Sequence, residues 1–581
     1  MLRRLTLTAV PLSVAALVLA GCATQTVASS SSTSTTNEET TTVETTAVVD
    51  SDLTADAVLA ANSDVTVVDD DEWSESDAVD ITLSGSSASS DSDSVTADGA
   101  TVTITDAGVF RLSGSLDGQV VVAAPDDAQV VLILDDAEIS ASDSPAITVT
   151  SADDVAIALA DGTTNTVSDT SSYAEDAAAN AAIYSDADLT ITGTGALEVS
   201  GNGNDGIAST DDLVIVSGEI TVDAVDDTLR GKDSLTVAGG TLALDAGGDA
   251  LKSDQDEDAT QGFIVVSGGD VTATSGDDGF AATTDVVITG GTVDLVAGSD
   301  ASAADASPKG LSAGVVAVIE GGNVAIDAVD DGVHSDGSIG IGGGAVTVSA
   351  GDDGIHAEQT LEIRDGDVTV TESVEGLEAA AIAVSGGAVD VTASDDGVNA
   401  ASGTTTTGQG GMGGGGEADT GETLTVSGGT LRVVAGGDGL DSNGSISFTG
   451  GTTTVAGPSS AGGEGAVDAN GEITVDGGEV FIAGSVLVAP TGAQQWVAAT
   501  ASGSAGDTVE VTDASGTVIA SFQAEQAFAA VFYSGPGITD GGSYTITVNG
   551  TAVATVTEGT NVSSGMAGPG GGNGGGGGRR P

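Results

Sequence analysis

The sequence predicts an all-β protein built as a right-handed parallel β-helix, a solenoid with about 22 residues per coil, followed by a small C-terminal β module. An acid-Gly-aliphatic motif recurs with steps that are mostly 21 or 22 residues, and a Gly-Gly pair usually precedes the next motif by ten residues. Aliphatic residues two and four places before that pair alternate with a period of two, which is typical of short strands. Such strands can bury their aliphatic face only by stacking coil on coil.

The first position of the motif forms what we call the corner column. Its successive members are Asp205, Asp227, Asp249, Asp278, Lys309, Asp331, Asp353, Glu375, Asp396 and Asp438. Equivalent positions of adjacent coils lie about 4.8 Å apart in a parallel β-helix, so each position of the repeat becomes a ladder. A leucine-rich repeat has a similar period, but this chain offers Val, Ile and Gly where that fold needs a Leu-rich consensus.

The N-terminus has the features of a bacterial lipoprotein signal. Basic residues precede a short apolar run that ends in Leu-Ala-Gly-Cys, so we expect residues 1–21 to be cleaved and Cys22 to be lipidated. The Ser/Thr-rich residues 22–72 are predicted to form a tether. The expected product is an exported, membrane-anchored monomer on the outer face of the cytoplasmic membrane or the cell surface.

The remaining segments follow from the spacing of the strands. Residues 73–200 are predicted to form the N-terminal coils and cap, and residues 201–485 the regular β-helix, with a Gly-rich insertion near 402–421. Residues 486–558 have longer strand spacing and are predicted to form the C-terminal module, and residues 559–581 a Gly-rich disordered tail.

The charge excludes one class of partner. The chain has 11 Lys and Arg against 88 Asp and Glu, a net charge of −77, and nucleic-acid binding needs clustered basic groups instead. A high-salt habitat would also explain this charge without any ligand.

Acidic doublets at the corners predict calcium. Stacked carboxylates repel one another, and hard oxygen ligands without thiols and with only two histidines favour Ca²⁺ over a transition metal. An insertion adds three alternating acids. The candidate ligands are Asp226, Asp227, Asp249, Asp254, Asp256, Asp258, Asp277, Asp278, Asp330, Asp331, Asp352, Asp353, Asp395 and Asp396. The alternative is that each Asp only forms a turn before Gly.

The position three residues after the corner forms a second column. Its members are Ala208, Arg230, Lys252, Ala281, Ser312, His334, His356, Glu378, Asn399 and Asp441. Because this position follows an inward aliphatic residue, we expect it to point outward. Its basic residues and histidines would then form a strip on an otherwise anionic surface, which suits an acidic polymer. The candidate carbohydrate-binding residues are Arg230, Lys232, Lys252, Lys309, His334, His356 and Glu378. The alternative is a solvated ladder that pairs with the adjacent acidic column.

Six strings carry a resemblance to a known family. They are Asp226-Asp-Thr-Leu-Arg-Gly-Lys-Asp233, Asp249-Ala-Leu-Lys-Ser253, Pro308-Lys-Gly-Leu311, Asp330-Asp-Gly-Val-His-Ser335, Gly351-Asp-Asp-Gly-Ile-His-Ala357 and Glu375-Gly-Leu-Glu378. From about Trp73 to the Gly-rich tail the chain resembles the secreted calcium-binding β-helix family of carbohydrate-binding domain-containing proteins. The resemblance implies a fold like that of pectate lyases and calcium-supported binding of pectin or cellulose.

Two other functions stay open. A polysaccharide lyase would need a basic residue beside a metal, for which Lys252 is the first candidate and Arg230 and Lys309 follow. A structural adhesin or stalk would need no sugar affinity at all. The regular ladders favour repeated contact with a polymer over a single reactive centre, so the sequence favours a binding protein.

Overall fold

The computed structural model describes residues 52–174, 177–299, 307–402, 419–460, 465–485 and 489–560. The predicted signal peptide, Cys22, most of the insertion predicted near 402–421 and residues 561–581 of the predicted tail lie outside the described residues. Within the described ranges, no helix has the length and apolar character needed to cross a membrane.

Three parallel sheets form the walls of the β-helix, and each coil contributes one strand or part of a strand to each sheet. The first sheet contains Thr101–Ile104, Gln119–Ala123, Ile147–Ser151, Ala181–Ser185, Asp205–Ser209, Leu229–Gly231, Leu251–Ser253, Phe280–Ala282, Leu311–Ala313, Val333–Ser335, Val398–Ala400, Leu440–Ser442 and the first residues of Ile355–Ile363 and Leu377–Val384. The second sheet contains the first parts of Val79–Gly85, Gly108–Leu116 and Gln129–Ser140, then Asp154–Leu159, Asp188–Gly193, Asp212–Ile215, Ser234–Val237, Phe263–Val266, Asp285–Ile288, Val316–Ile319, Ser338–Ile341, the last residues of Ile355–Ile363 and Leu377–Val384, and Thr423–Val426.

The third sheet contains Thr164–Ser168, Ala196–Gly201, Glu219–Ala224, Thr241–Ala246, Asp270–Ser275, Thr292–Ala297, Asn323–Ala328, Ala345–Ala350, Asp367–Glu372, Ala388–Ala393 and Thr430–Ala435. The long strands Ser445–Ala456 and Ile473–Gly484 continue both the second and the third sheet. Two short strands, Ala88–Ser89 and Val95–Asp98, pair antiparallel with the N-terminal coils. The predicted solenoid of stacked parallel strands is therefore confirmed.

The core is a set of stacked aliphatic columns. The residue two places after each corner residue points inward and is 0% exposed in every coil: Ile207, Leu229, Leu251, Phe280, Leu311, Val333, Ile355, Leu377, Val398 and Leu440. Each stacks on its equivalent in the next coil because the strands pair in register. The core therefore lengthens with each repeat without becoming thicker.

The Gly-Gly pairs provide turns into the third sheet. The second glycine of the pair adopts a left-handed conformation, as at Gly269, where φ is 82°. A Cβ atom there would also lie 2.8 Å from the backbone of the preceding coil, at Gly239 and Gly240. Both the φ angle and the close approach require glycine at this position.

Residues 52–72 form a strap on the second sheet, whereas the sequence suggested that a tether continued to residue 72. The helix Ala55–Ala61 begins after the capping residue Thr54. Leu53 and the helix residue Val58 pack on the outward-facing Val287 and Val318. Further along, the backbone N–H of Thr66 donates to Asp212 Oδ2 at 2.8 Å. Apolar contacts and backbone hydrogen bonds thus hold this segment on the sheet. The residues of the segment do not follow the repeat, so nothing in the sequence indicated these contacts.

The C-terminal module covers the last coil. Phe528–Ser534 pairs antiparallel with Ile473–Gly484 and with Trp496–Gly503. A separate four-stranded antiparallel sheet, in the order Val518–Gln523, Thr508–Asp513, Ser543–Val548, Thr551–Thr557, packs on this extension around its own apolar core. The module therefore pairs the open strand edge that a solenoid would otherwise expose.

We predict that Leu53→Ala loosens the strap without unfolding the β-helix. Truncating a buried Leu costs about 2–5 kcal/mol, and this side chain packs only on the outer face of the second sheet. Hydrogen exchange at the amides of Ser63, Thr66 and Val68, which donate to Thr260, Asp212 and Thr190, should become faster. Amides of the third sheet should keep their protection. The exposed residue Ala60 provides the control Ala60→Ser, and equal exchange in both variants would contradict the assignment.

Candidate functional site

The corner column and the second column run side by side along the edge of the first sheet. The strands place the second-column residues opposite one another in unbroken succession, from Ala208 and Arg230 to Asn399 and Asp441. The corner residues are joined by their own backbone ladder, in which the N–H that follows one corner donates to the corner carbonyl of the next coil. A side chain on one column is therefore close to the other column in its own coil and in the next.

One oxygen of most corner carboxylates has a structural role. Oδ1 accepts the backbone N–H of the next corner residue, as from Asp249 to Asp227 at 2.9 Å, Lys309 to Asp278 at 2.7 Å and Asp353 to Asp331 at 3.1 Å. These N–H groups lie at the turn and have no partner in a strand. The acids at the corners are thus a hydrogen-bond ladder that connects successive coils.

The second oxygen, Oδ2, faces the second column. Lys252 Nζ lies 2.8 Å from Asp249 Oδ2 and 3.1 Å from Asp227 Oδ2. Burial alone would lower the pKa of Lys252, but these two carboxylates outweigh it and raise the pKa above its usual value. Lys309 Nζ lies 2.5 Å from Asp330 Oδ2 and 3.7 Å from Asp331 Oδ2.

The predicted outward strip of free cations is therefore half-buried and paired with acids. The side chains of Lys309 and His334 are only 16% and 13% exposed. Arg230 donates to Asp254 Oδ2 at 2.6 Å. Among the described basic residues, Lys232 is the one with no ion pair. The pairing of the two columns that the sequence left open as an alternative is what the structure contains.

Burial raises the pKa values of several carboxylates on the two columns. Burial, and then Asp227 and Asp226, raise the pKa of Asp205 to about 7 against the opposing effect of Arg230. Burial likewise raises the pKa of Asp278 to about 7, although Oδ1 accepts a backbone hydrogen bond. At Glu378, burial and the carboxylates of Glu375 and Asp353 raise the pKa well above its usual value.

Five groups among the described residues bring three possible metal ligands within 4.8 Å of one another. They are Asp205–Asp226–Asp227, Asp330–Asp331–Asp352, Asp331–His334–His356, Asp353–His356–Glu378 and Asp438–Asp441–Asp468. Three of these groups contain only carboxylates. The structure thus brings together residues that the sequence assigned separately to calcium and to carbohydrate.

Other predicted ligands have different partners. Asp254 is engaged by Arg230, and Asp258 Oδ1 accepts the N–H and hydroxyl of Thr260 in its own loop. Asp249 is held by Lys252, and Asp396 Oδ1 accepts the N–H of Asp438. None of the five groups contains Asp249, Asp254, Asp256, Asp258, Asp277, Asp278, Asp395 or Asp396.

Several site residues were missed by the sequence reasoning. Asp441 is in the second column but was not assigned to a metal, and Asp336 contacts His334 Nε2 at 3.2 Å. Alignment of the columns could have indicated both, because Asp336 lies two positions after the histidine. Asp468 had no such signal, since it follows a break in the repeat.

Comparison with known proteins identifies the class. A sequence model of the carbohydrate-binding domain-containing protein family matches residues 98–354 and 341–486, which is more than half of the chain. The protein therefore belongs to this family, as the resemblance predicted. The match covers the whole of the regular β-helix that carries the two columns.

One relative and one solved structure show similarity. A carbohydrate-binding domain-containing protein of Acetivibrio thermocellus is 41% identical over 128 residues, which are 21% of this chain and 45% of the relative. The chain thus matches less than half the length of that relative. A solved structure of a polysaccharide lyase-like protein from C. thermocellum is 34% identical, covers 37% of this chain and 90% of its own, and has a TM-score of 0.37.

Substitutions of Asp278 can separate the hydrogen-bonding role of a corner acid from the effect of its charge. Asp278→Ala should lower the free energy of unfolding by about 1–3 kcal/mol, because the N–H of Lys309 loses its acceptor. Asp278→Asn keeps an acceptor oxygen and removes a poorly compensated charge, so its stability at pH 8 should equal or exceed that of the wild type. Chemical denaturation of both variants with a chelator present measures the difference. A loss of equal size in the two variants would contradict the ladder.

Stability without metal should fall as pH rises from about 4 to about 7. Asp205, Asp278 and Asp396 have folded pKa values raised from 3.8 to about 7, so the folded state binds more protons in this window. By linkage, deprotonation there costs folding free energy. The lowered pKa of Asp331 acts in the opposite sense, but only below its usual value of 3.8. Thermal denaturation across this range in a chelator provides the measurement, and a rising melting temperature would contradict the assignment.

Proposed function

We propose that the protein binds an acidic plant-type polysaccharide such as polygalacturonate along the first sheet, with calcium ions bridging its carboxylate clusters and the polymer. Its membership of a carbohydrate-binding domain family supports the class of ligand. The observation that carries the proposal is the succession of carboxylate clusters beside a column that is in register over the regular coils. Repeating sites suit a repeating ligand.

The clusters fit calcium by the chemistry of their donors. Asp205, Asp226 and Asp227 offer only carboxylate oxygens, which Ca²⁺ prefers. Burial, and then repulsion by Asp227 and Asp226, raises the pKa of Asp205 to about 7. Asp330, Asp331 and Asp352 offer a second such set. Bound calcium would supply positive charge and, with six to eight coordination positions, would leave room for oxygens of a sugar acid.

The basic residues support bridging by metal over direct contact. Arg230, Lys252 and Lys309 are each paired with carboxylates of this chain, so a polymer carboxylate would have to displace an existing partner. A calcium ion would share Asp227 with Lys252 and Asp330 with Lys309, but the exposed Asp226 and Asp352 make no ion pair with a described basic residue and are open to it. The proposed ligand is therefore bound through an added cation on an otherwise anionic surface.

The same pairing argues against a lyase as the second candidate. A lysine that abstracts a proton must lose its own proton first, and catalytic lysines have lowered pKa values. At Lys252, Asp227 and Asp249 overcome the effect of burial and raise the pKa. Lys309 has a raised pKa for a similar reason, with Asp330 as the main partner.

The proposed location rests on the sequence. We infer that Cys22 anchors the chain to the outer face of the membrane, which would hold the β-helix where extracellular polymers are available. Such an anchored protein without sugar affinity would be a structural adhesin. A polymer-binding measurement distinguishes that function from the proposed one.

We predict that Asp226→Asn with Asp352→Asn abolishes calcium-dependent binding without unfolding the protein. These two acids are the exposed members of their clusters, and their removal leaves the corner ladder intact. Calorimetry with Ca²⁺, followed by polygalacturonate in the presence of Ca²⁺, should show polymer binding at least about tenfold weaker than in the wild type. The control is Asp245→Asn, which removes an exposed carboxylate from the third sheet.

Three outcomes would contradict the proposal. Equal polymer binding with calcium and with chelator would show that binding does not require the metal. Absence of any polymer binding would favour the adhesin. Growing ultraviolet absorbance from unsaturated uronate ends, lost in Lys252→Ala, would identify a lyase.

A further inference from the structure

The chain has only two histidines, and the fold stacks them on adjacent rungs. His334 and His356 face each other in the pairing of their strands, with ring centroids 5.0 Å apart. Each histidine follows a corner acid by three residues, in the strings Asp331-Gly-Val-His334 and Asp353-Gly-Ile-His356. The two coils therefore present the same pair of ligand types, one above the other.

Three ligand atoms, one each from Asp331, His334 and His356, lie within 4.8 Å of one another. Asp331 Oδ2 lies 2.9 Å from His334 Nδ1 and 3.7 Å from His356 Nδ1. Asp353 Oδ2 lies 3.3 Å from His356 Nδ1. In a tetrahedral zinc site with bonds of about 2.0–2.1 Å, neighbouring ligand atoms lie about 3.3 Å apart. The two distances from Asp331 Oδ2 lie on either side of that edge length, whereas Asp353 belongs to a separate group with His356 and Glu378.

The hydrogen bonding of His334 gives an independent reason to place a cation there. Nε2 lies 3.2 Å from Asp336 Oδ1, while Nδ1 faces Asp331 Oδ2. A neutral imidazole has a proton on only one of its two ring nitrogens. The other nitrogen would then direct its lone pair at a carboxylate oxygen, unless the ring is doubly protonated or a metal ion lies between the two atoms. A carboxylate that accepts the second ring N–H is the arrangement that orients metal-bound histidines.

The surrounding charge also suits a divalent ion. Three carboxylates, those of Asp331, Asp336 and Asp353, contact the two rings. One ammonium is near, that of Lys309, which lies 3.7 Å from Asp331 Oδ2 but is held more closely by Asp330. Two doubly protonated rings stacked one rung apart would satisfy the carboxylates at the cost of mutual repulsion, which a single metal ion avoids.

We propose that Asp331, His334 and His356 form a zinc-type transition-metal site that clamps two adjacent coils of the β-helix. The chain supplies two nitrogen ligands and one oxygen ligand, which leaves a fourth position for water, in contrast to the oxygen-only clusters assigned to calcium. Imidazole nitrogen favours Zn²⁺, Co²⁺, Ni²⁺ or Cu²⁺ over Ca²⁺. Asp331 belongs also to the group with Asp330 and Asp352, so occupation of the clamp would compete with calcium at that group. The proposal does not depend on the polysaccharide function.

The test uses the full chain with Cys22→Ser, because its single thiol would otherwise bind zinc. Calorimetry with Zn²⁺ in a large excess of Ca²⁺ should give one tight equivalent, and Co²⁺ should give the visible absorption of a tetrahedral nitrogen and oxygen site. Zinc should also raise the melting temperature, and a chelator should reverse the change. His334→Gln and His356→Gln should each lose the cobalt spectrum and weaken zinc binding at least about tenfold.

Two further variants separate the ligands from their surroundings. Asp336→Asn should weaken zinc binding about 10- to 100-fold while keeping the cobalt spectrum, because Asp336 orients the ring without binding metal. Asp367→Asn removes an exposed carboxylate of the third sheet and should change nothing. The proposal is overturned if the wild type gives no tetrahedral cobalt spectrum, or if the glutamine variants, shown by circular dichroism to be folded, bind zinc as the wild type does. The histidines would then be protonated rungs of the ladder.

Discussion

The hydrogen bond that most corner carboxylates accept from the backbone of the next coil is the constraint on which the rest of the site depends. A three-sheet coil must turn at this corner, and its turn N–H needs an acceptor that the strands cannot offer. Aspartate supplies one with Oδ1, as Asp227 does for the N–H of Asp249. Every coil that uses this solution also brings a second carboxylate oxygen to the same edge, at a spacing set by the sheet. The charge of the column is therefore a consequence of how the coils are joined.

The same constraint determines which acids the basic residues at this edge contact. Of the basic residues in the described chain, Arg230, Lys252 and Lys309 contact the corner carboxylates directly. Arg230 and Lys252 each pair with acids of two coils, so one cation compensates two rungs. Such pairs are half-buried and screened less than exposed ones, which makes them part of the folded structure more than a surface for ligands.

Much of this could be predicted from the sequence, because a constant period fixes which residues share a column. The register from Arg230 to Lys252 and from His334 to His356 follows from counting residues. The sequence could not show how deep the second column lies. Its residues do alternate with inward aliphatic ones, but the adjacent corner acids cover them, so His334 is 13% exposed. The strap was also unpredictable, since its contact between Leu53 and Val287 joins segments with no shared repeat.

The second column divides the β-helix into parts with different needs for cations. From Arg230 to Lys309 the chain supplies its own positive charges, and at His334 and His356 it supplies groups that can hold either a proton or a metal. Further along, the same column offers Glu378, Asn399 and Asp441, none of them basic. Burial and neighbouring acids raise the pKa of Glu378, and burial raises that of Asp396 to about 7. Asp396 and Asp438 still accept backbone N–H groups in this part of the β-helix, so the charge at these rungs can be compensated by protons, as the raised pKa values indicate, or by bound cations.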